Sequence, residues 1–247
     1  MRDAALVLGG SRGLGRAVAE RLASRGADVI VSARESTALR ETAAALTSAG
    51  AASVTALPLD VAAVTSASAA AFVRQCLDAL PSLAQVYITV GANADNDAGT
   101  ASSAAFDALM AVNATGICHL AAAFTEALRG REANITVVSS VAAVRGRKRN
   151  LAYAAAKRAL ETYMAGLRHE VAGGPLRLQV IRAGYIRSRL SDGKRLLLTP
   201  ADPFELAALM VEGRRDDFGV RYAPRAWALI ALVLRLLPWP LFRRLNV

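Results

Sequence analysis

Lysine is nearly missing from this sequence. Only Lys148, Lys157 and Lys194 occur, so arginine carries almost all of a formal net charge of +10. Cysteine is as sparse. Cys76 and Cys118 fall in predicted helices without metal-ligand spacing. That excludes a disulfide scaffold or zinc module and fits small core residues in a reducing compartment. His119 and His169 lie too far apart to suggest a metal pair, so no metal site is expected. No run of about 18 or more uncharged apolar residues is found, and no spanning helix is expected. A strand begins almost at the first residue, so no secretory signal is expected and a cytoplasmic protein is. Low-complexity tracts and periods of about 20–50 residues are also lacking, which excludes disordered and solenoid architectures.

What is present is apolar and alternating. The chain has 247 residues, 54% of them hydrophobic, enough for one well-buried domain. Short Val-, Ile- and Leu-rich runs at 4–8, 28–33, 54–59, 85–90, 134–139, 176–182 and 220–223 read as strands. Helical spacing fills the intervals at 14–25, to about 47, 68–80, 106–128 and 151–171. This alternation predicts a single-domain α/β fold of Rossmann type. Its doubly wound parallel sheet has about seven strands, with helices on both faces. Ligands of such sheets bind at the carboxyl ends of the strands. Gly9, Asp60, Gly91, Ser140 and Gly184 all fall there.

Gly9-Gly10-Ser11-Arg12-Gly13-Leu14-Gly15 joins the first strand to the first helix. Glycines permit a tight turn and close approach of a pyrophosphate, and the helix start presents free N–H groups. A dinucleotide site is therefore expected. An NAD-selective site usually has Asp or Glu after the second strand to hold the ribose hydroxyls. Here the position is Arg34, and Arg12 lies in the glycine loop. Two guanidiniums suit the 2′-phosphate of NADP(H), which is expected over NAD(H).

Tyr153 and Lys157 are spaced i, i+4, which puts them on one helix face a turn apart. A phenol titrates near about 10 in water, and a neighbouring cation lowers that value. Such a Tyr exchanges a proton with a carbonyl or alcohol oxygen. Ser140, upstream across a loop, is placed to hold the same oxygen.

Together these residues resemble the short-chain dehydrogenase/reductase family, from Ala4 to about Ser188. The family's Thr-Gly-x-x-x-Gly-x-Gly motif matches Leu8 to Gly15, with Leu in place of Thr. Asp60 and Val61 match the adenine-contacting segment, and Asn113 matches the active-site Asn. Ser140, thirteen residues before Tyr153, matches the family Ser, and Tyr153 with Lys157 matches Tyr-x-x-x-Lys. The resemblance implies Tyr153 as proton donor or acceptor, and Lys157 as ribose ligand and tuner of the Tyr. It implies Ser140 as orienter of the substrate oxygen and Asn113 as holder of a relay water. It further implies cofactor contacts from Gly9, Ser11, Arg12, Gly13, Leu14, Gly15, Arg34, Asp60, Val61, Gly91, Tyr153, Lys157, Gly184 and Ile186. Two stretches depart from the family. Asn-Asn-Ala-Gly reads Val90-Gly91-Ala92-Asn93, and Pro-Gly reads Ala183-Gly184, with Ser188 near a usual Thr.

The second half is also similar to a subtype, the decaprenylphosphoryl-2-keto-ribose reductases. The similarity lies in SSVAAVRGRKRNLAY, VIRAGYIRSRL and the C-terminal YAPRAWALIALVLRLLPWPLFRRL. It implies a carbonyl or alcohol on a sugar-like or lipid-linked substrate. Residues 1–225 are read as the dinucleotide-binding domain with a substrate lid at about 185–215, and 226–247 as an apolar and basic extension. Arg145, Arg147, Lys148 and Arg149, with Arg187, Arg189, Lys194 and Arg195, form two basic clusters expected to flank the substrate mouth and attract an anion. The extension is too short to span a bilayer. It suits peripheral membrane contact, a pocket cover or a subunit interface, and a homodimer or homotetramer is expected. A non-catalytic dinucleotide sensor is the competing reading. Nucleic-acid binding ranks last, because nothing resembles a helix-turn-helix and the charge is dispersed.

Overall fold

Residue type alternates with period two along the central strand, and each face feeds a different core. The computed structural model describes residues 3–244 apart from 35, 94–96, 98–102, 149, 188–198, 214–216 and 218. In chain order the elements begin β1 (Ala4–Leu8), α1 (Gly13–Ala23), β2 (Asp28–Ala33), α2 (Thr37–Ser48) and β3 (Ser53–Pro58). A 3-10 turn (Val61–Ala63) leads to α3 (Ser66–Ala79), β4 (Gln85–Ile88) and α4 (Ser103–Met110). A π-helical stretch (Ala111–Thr115) joins α4 to α5 (Gly116–Leu128), followed by β5 (Asn134–Ser140). A second 3-10 turn (Val141–Val144) precedes α6 (Leu151–Glu170), β6 (Arg177–Ala183), α7 (Pro203–Glu212), β7 (Val220–Ala223), α8 (Ala226–Leu236) and α9 (Trp239–Phe242).

The strands form one parallel sheet in the order β3-β2-β1-β4-β5-β6-β7. Leu6 and Leu8 of β1 enter a core with Phe72, Val86, Ile88, Ile117, Phe124 and Leu160. Ala5 and Val7 enter the other, with Val18, Leu22, Val29, Val31 and Leu206. Both faces are covered, as the unbroken apolar strands require. The strand order reverses between β1 and β4, which opens a crevice at their carboxyl ends.

Expected and observed elements agree to within about three residues at their ends, the usual scatter of helix and strand boundaries. Helix α7 was not expected as an element, although its start carries a local signal. Asp202 caps it by accepting from the Phe204 N–H, and Pro203 sits in its first turn. The long helical run Ser103–Leu128 matches the expected helix at 106–128. It is long and apolar enough to cross a membrane by length and composition. Half of its apolar window is buried, with Ile117, Leu120 and Phe124 in the core, so it is a core helix of the sheet's flank. Of the expected lid and basic clusters, Arg149, Ser188, Arg189, Lys194 and Arg195 lie outside the described residues.

The C-terminal segment is anchored by its few buried side chains. Trp227 of α8 is buried and meets Tyr185 edge to face, with ring centroids 5.2 Å apart. A Cβ on Gly184 would lie 1.9 Å from the Trp227 indole nitrogen. Gly184 is therefore required by packing, where the sequence pointed to the cofactor.

Candidate active site

Glycine spacing shapes one end of the crevice. Gly9 and Gly13 have φ of +85° and +53°, the left-handed region that glycine occupies without strain. A Cβ on Gly15 would stand 2.2 Å from the Gly9 carbonyl and 2.4 Å from Thr89 Oγ1. The loop is thus closed by its own glycines, while space above Gly13 is open. Gly9 and Gly10 N–H groups both donate to the Ser32 carbonyl, at 2.8 and 3.1 Å. This pins the loop to the end of β2, which carries Arg34. Arg12 and Arg34 are both exposed and border this end of the crevice. Arg12, the residue before α1, makes no side-chain cap, and the first turn of α1 holds no acidic residue, so the helix's N-terminal amides and dipole are available to an anion. Ser11 is half-buried in the loop, whereas Leu14 and Val61 bury their side chains in the cores and can offer a ligand only main chain. Asp60 caps the 3-10 turn after β3 by accepting from the Ala62 N–H at 3.1 Å.

Buried polar chemistry fits a bound dinucleotide at this place. Among the described residues, the hydroxyl of Ser32, at the end of β2, is fully buried without a hydrogen-bond partner, and so is Asn150 Oδ1 at the start of α6. An unsatisfied buried polar group costs about 1–3 kcal/mol. The charge, the open space over Gly13 and these two oxygens suit a phosphate-bearing, hydroxyl-rich ligand along the crevice.

The middle of the crevice is held by Asn113. It is fully buried in the π-helical stretch, a distortion common at functional sites. Its Nδ2 donates to the Ala92 and Leu109 carbonyls at 2.8 and 3.0 Å, and its Oδ1 accepts from the Ala92 N–H at 3.1 Å. The side chain is thus engaged by main chain, where the resemblance implied a water. It clamps the Gly91-Ala92 segment that departs from the family sequence. Thr89 Oγ1, donating to the Leu8 carbonyl at 2.8 Å, adds a tie between β1 and β4.

Tyr153, Ser140 and Lys157 converge at the other end. Ser140 closes β5; its hydroxyl accepts from the Ala142 N–H at 3.1 Å and acts on the Tyr153 phenol, favouring its ionised form. Lys157 is buried and donates to the Val138 and Val90 carbonyls at 3.2 and 3.4 Å. Its ammonium lies 5.9 Å from the centre of the Tyr153 ring, and 3.6 Å from where a Cβ on Gly91 would stand. Burial raises the phenol of Tyr153 above its ordinary value, and the Ser140 hydroxyl offsets part of that rise. The lowering expected from Lys157 does not set the direction here; desolvation does. Burial likewise lowers the Lys157 ammonium to about 8, against the opposing charge of Glu161.

Three supporting residues escaped the sequence reading. Asp97 is fully buried, and its carboxylate accepts from the Ala152 and Tyr153 N–H groups, both at 2.8 Å. It caps the helix that carries Tyr153 in place of Asn150, which makes no side-chain cap. Asp97→Ala is expected to cost about 1–2 kcal/mol and to lower turnover while leaving dinucleotide affinity unchanged. Chemical denaturation beside steady-state kinetics would check this, and unchanged stability would refute the cap. Glu161, one turn beyond Lys157, is gripped by Arg182 of β6. Nε donates to Oε1 at 2.9 Å, and Nη2 donates to Oε2. Ser139 donates to Oε1 at 2.7 Å, and Arg182 also reaches the Tyr222 hydroxyl.

Gly184 and Ile186 follow β6. Tyr185 and Arg187 pair with Ala201 on either side of Ile186. The basic cluster does not act as one. Arg145 turns away from the crevice, donates to the Leu234 and Leu237 carbonyls at 2.7 and 2.5 Å, and stacks 3.8 Å over the Phe242 ring. It caps the end of α8 and is withdrawn from the expected anion site. Arg147 and Lys148 stay accessible. A separate groove of about 640 Å³, lined by residues such as Arg168, Arg177 and Val220, lies toward the amino ends of β6 and β7. Ligands of open α/β sheets do not bind at that end. Burial pushes the Cys76 and Cys118 thiols up to about 12 and about 11, which makes both unreactive.

Known proteins share the sequence pattern and fold of this chain. The family model described as short chain dehydrogenase matches residues 3–196. An uncharacterised oxidoreductase of Mycobacterium tuberculosis is 30% identical over 243 residues, covering 97% of this chain and 96% of its own. The 3-oxoacyl-[acyl-carrier-protein] reductase of Escherichia coli is 29% identical over 200 residues, covering 77% and 78%. A Burkholderia phymatum short-chain dehydrogenase/reductase solved with NAD superposes with a TM-score of 0.81 at 20% identity, covering 94% of this chain and 92% of its own. A Thermococcus sibiricus alcohol dehydrogenase complexed with 5-hydroxy-NADP gives 0.78 at 21% identity, covering 89% and 95%. The chain belongs to the short-chain dehydrogenase family. It is an oxidoreductase of the class that acts on alcohol and carbonyl groups.

Proposed function

We propose that this chain is an NADP(H)-dependent oxidoreductase in which Tyr153 exchanges a proton with the oxygen of a sugar-like, lipid-linked ketone or alcohol. The observation that carries the reading is the buried Lys157 ammonium held by the Val138 and Val90 carbonyls 5.9 Å from the centre of the Tyr153 ring, with Ser140 at the end of β5. The bound dinucleotide supplies the hydride. Amides at Ser11 to Gly15 would hold its pyrophosphate, Asp60 the adenine, and Lys157 the nicotinamide-side ribose. Main chain at Gly91, Gly184 and Ile186 borders the ring. With its phenol raised by burial, Tyr153 keeps its proton at neutral pH, the form that protonates the oxygen of a carbonyl under reduction. Ser140, fixed by the Ala142 amide, orients that oxygen and shares its developing charge.

Arg12 in the glycine loop and Arg34 at the end of β2 favour the 2′-phosphate of NADP(H). Arg34→Asp is expected to raise the KM for NADPH about ten-fold or more, from the loss of a charge-assisted pair, with a much smaller change for NADH. Equal responses of the two cofactors would refute the preference. Similarity of the second half to the decaprenylphosphoryl-2-keto-ribose reductases, with Arg147 and Lys148 near the site, supports a lipid-linked keto-sugar as substrate. The test is NADPH oxidation screened against ketoses and polyprenyl-phosphate keto-sugars. Tight NADPH binding without oxidation by any ketone would favour the sensor reading, which the Val90-Gly91-Ala92-Asn93 departure supports.

A further inference from the structure

The C-terminal segment buries little and exposes much. Trp227, Ala231 and Phe242 face the protein. On the other side of α8, Leu229, Leu232, Val233 and Leu236 are 52–73% exposed, and Trp239 and Leu241 of the α9 turn continue the patch at 64% and 51%. The α8 residues follow i, i+3, i+4, i+7 spacing, so they form one stripe along the helix. Soluble surfaces scatter such side chains; a contiguous stripe marks a contact surface.

Charge identifies what the stripe meets. From Gly219 to Val247 the sequence holds five arginines and no Asp or Glu. Arg225 precedes the stripe, Arg235 flanks it, and Arg243 and Arg244 follow it, all exposed. A second copy placed face to face would oppose these guanidiniums with one another and supply no carboxylate from the same segment. An anionic bilayer offers both complements at once: phosphates for the arginines and acyl chains for the leucines. The exposed indole of Trp239 suits the headgroup level between them.

We propose that α8 and α9 form a peripheral docking surface for anionic lipid. The surface is rigidly joined to the site. Arg145, in the loop after Ser140, is bonded to the end of α8 and stacked on Phe242. Trp227 is seated under Gly184 and Tyr185, in the loop after β6. Docking therefore holds the two loops beside Ser140 and Ile186 close to the headgroups. The inference is independent of the substrate, because vesicle binding is read without turnover.

The test is flotation of the full chain with phosphatidylcholine vesicles, with and without phosphatidylglycerol, alongside Trp emission and sedimentation velocity. Flotation is expected with phosphatidylglycerol and little without it, with a blue shift that is lost in Trp239→Phe. Leu229→Ser/Leu236→Ser is expected to weaken partitioning about ten-fold or more. Arg235→Glu/Arg243→Glu is expected to do the same. Both pairs are exposed, so sedimentation and NADPH binding should match the parent. Failure to float on anionic vesicles would overturn the proposal, as would flotation indifferent to both pairs. Conversion of an oligomer to monomer by the leucine pair, with no flotation of the parent, would also overturn it and make the stripe a contact between copies.

Discussion

Tyr153→Phe is expected to lower turnover by about 10²–10⁴-fold, the range for a positioned general acid, with NADPH affinity unchanged within about two-fold. The substitution removes one oxygen from a partly buried ring and leaves the ring itself in place. The other proposed dinucleotide contacts, from the glycine loop, Arg34, Asp60, Lys157 and main chain at Gly91, Gly184 and Ile186, do not depend on the phenolic hydroxyl. Ser140 keeps the Ala142 amide, so the β5 terminus stays ordered. Fluorescence titration with NADPH beside steady-state kinetics separates the two effects. Turnover at the parent level would remove Tyr153 from the chemistry. Loss of NADPH binding would show that its hydroxyl serves the cofactor.

Glu161→Ala is expected to destabilise the fold by about 3–5 kcal/mol, because it strands the Arg182 guanidinium in the interior. The side chains of Arg182 and Glu161 are only 10% and 5% exposed. The pair links α6 to β6, and Ser139 and Tyr222 extend it to β5 and β7. For a chain of this size the loss corresponds to a drop of about 10 °C in Tm. Replacing both partners with apolar residues, Glu161→Leu/Arg182→Met, should recover much of it. A single variant within about 1 kcal/mol of the parent would refute the pair. Glu161 also acts on Lys157. Lys157 loses its proton near about 8 when folded and near about 10.4 when unfolded. Between those values the unfolded chain binds more protons, so stability rises with pH there. The cost of burying the ammonium is felt in full below pH 8. Because Glu161 opposes that lowering, Glu161→Gln should move the basic limb of the kcat/KM profile to lower pH. An unmoved limb would separate it from Lys157.

Much of this was legible because its signals are local. The strands are unbroken apolar runs, the glycine loop sits between a strand and a helix, and Tyr153 and Lys157 share a helix face by spacing alone. Glu161 was readable by the same rule, one turn further on, but its partner Arg182 lies on another element. Asp97 could not be found this way. It caps α6 from 56 positions upstream, and the local candidate, Asn150, has the residue type of a cap without the bond. The basic cluster shows the opposite limit. Arg145, Arg147 and Lys148 are one charge run in sequence, yet a carbonyl pair and an aromatic ring in the C-terminal segment claim Arg145. Burial sets the sign at Tyr153, and burial is a property of the whole fold that a neighbouring lysine in the sequence does not reveal.

The central claim is that Tyr153 completes a direct hydride transfer between NADPH and a carbonyl carbon. Its most direct test uses NADPH deuterated at nicotinamide C4 on the transferred face, with the ketone that supports oxidation. A single deuterium is expected on the carbinol carbon of the product and none in solvent, with product formation collapsing in Tyr153→Phe. Deuterium released to solvent, or product formed at the parent rate by Tyr153→Phe, would contradict it.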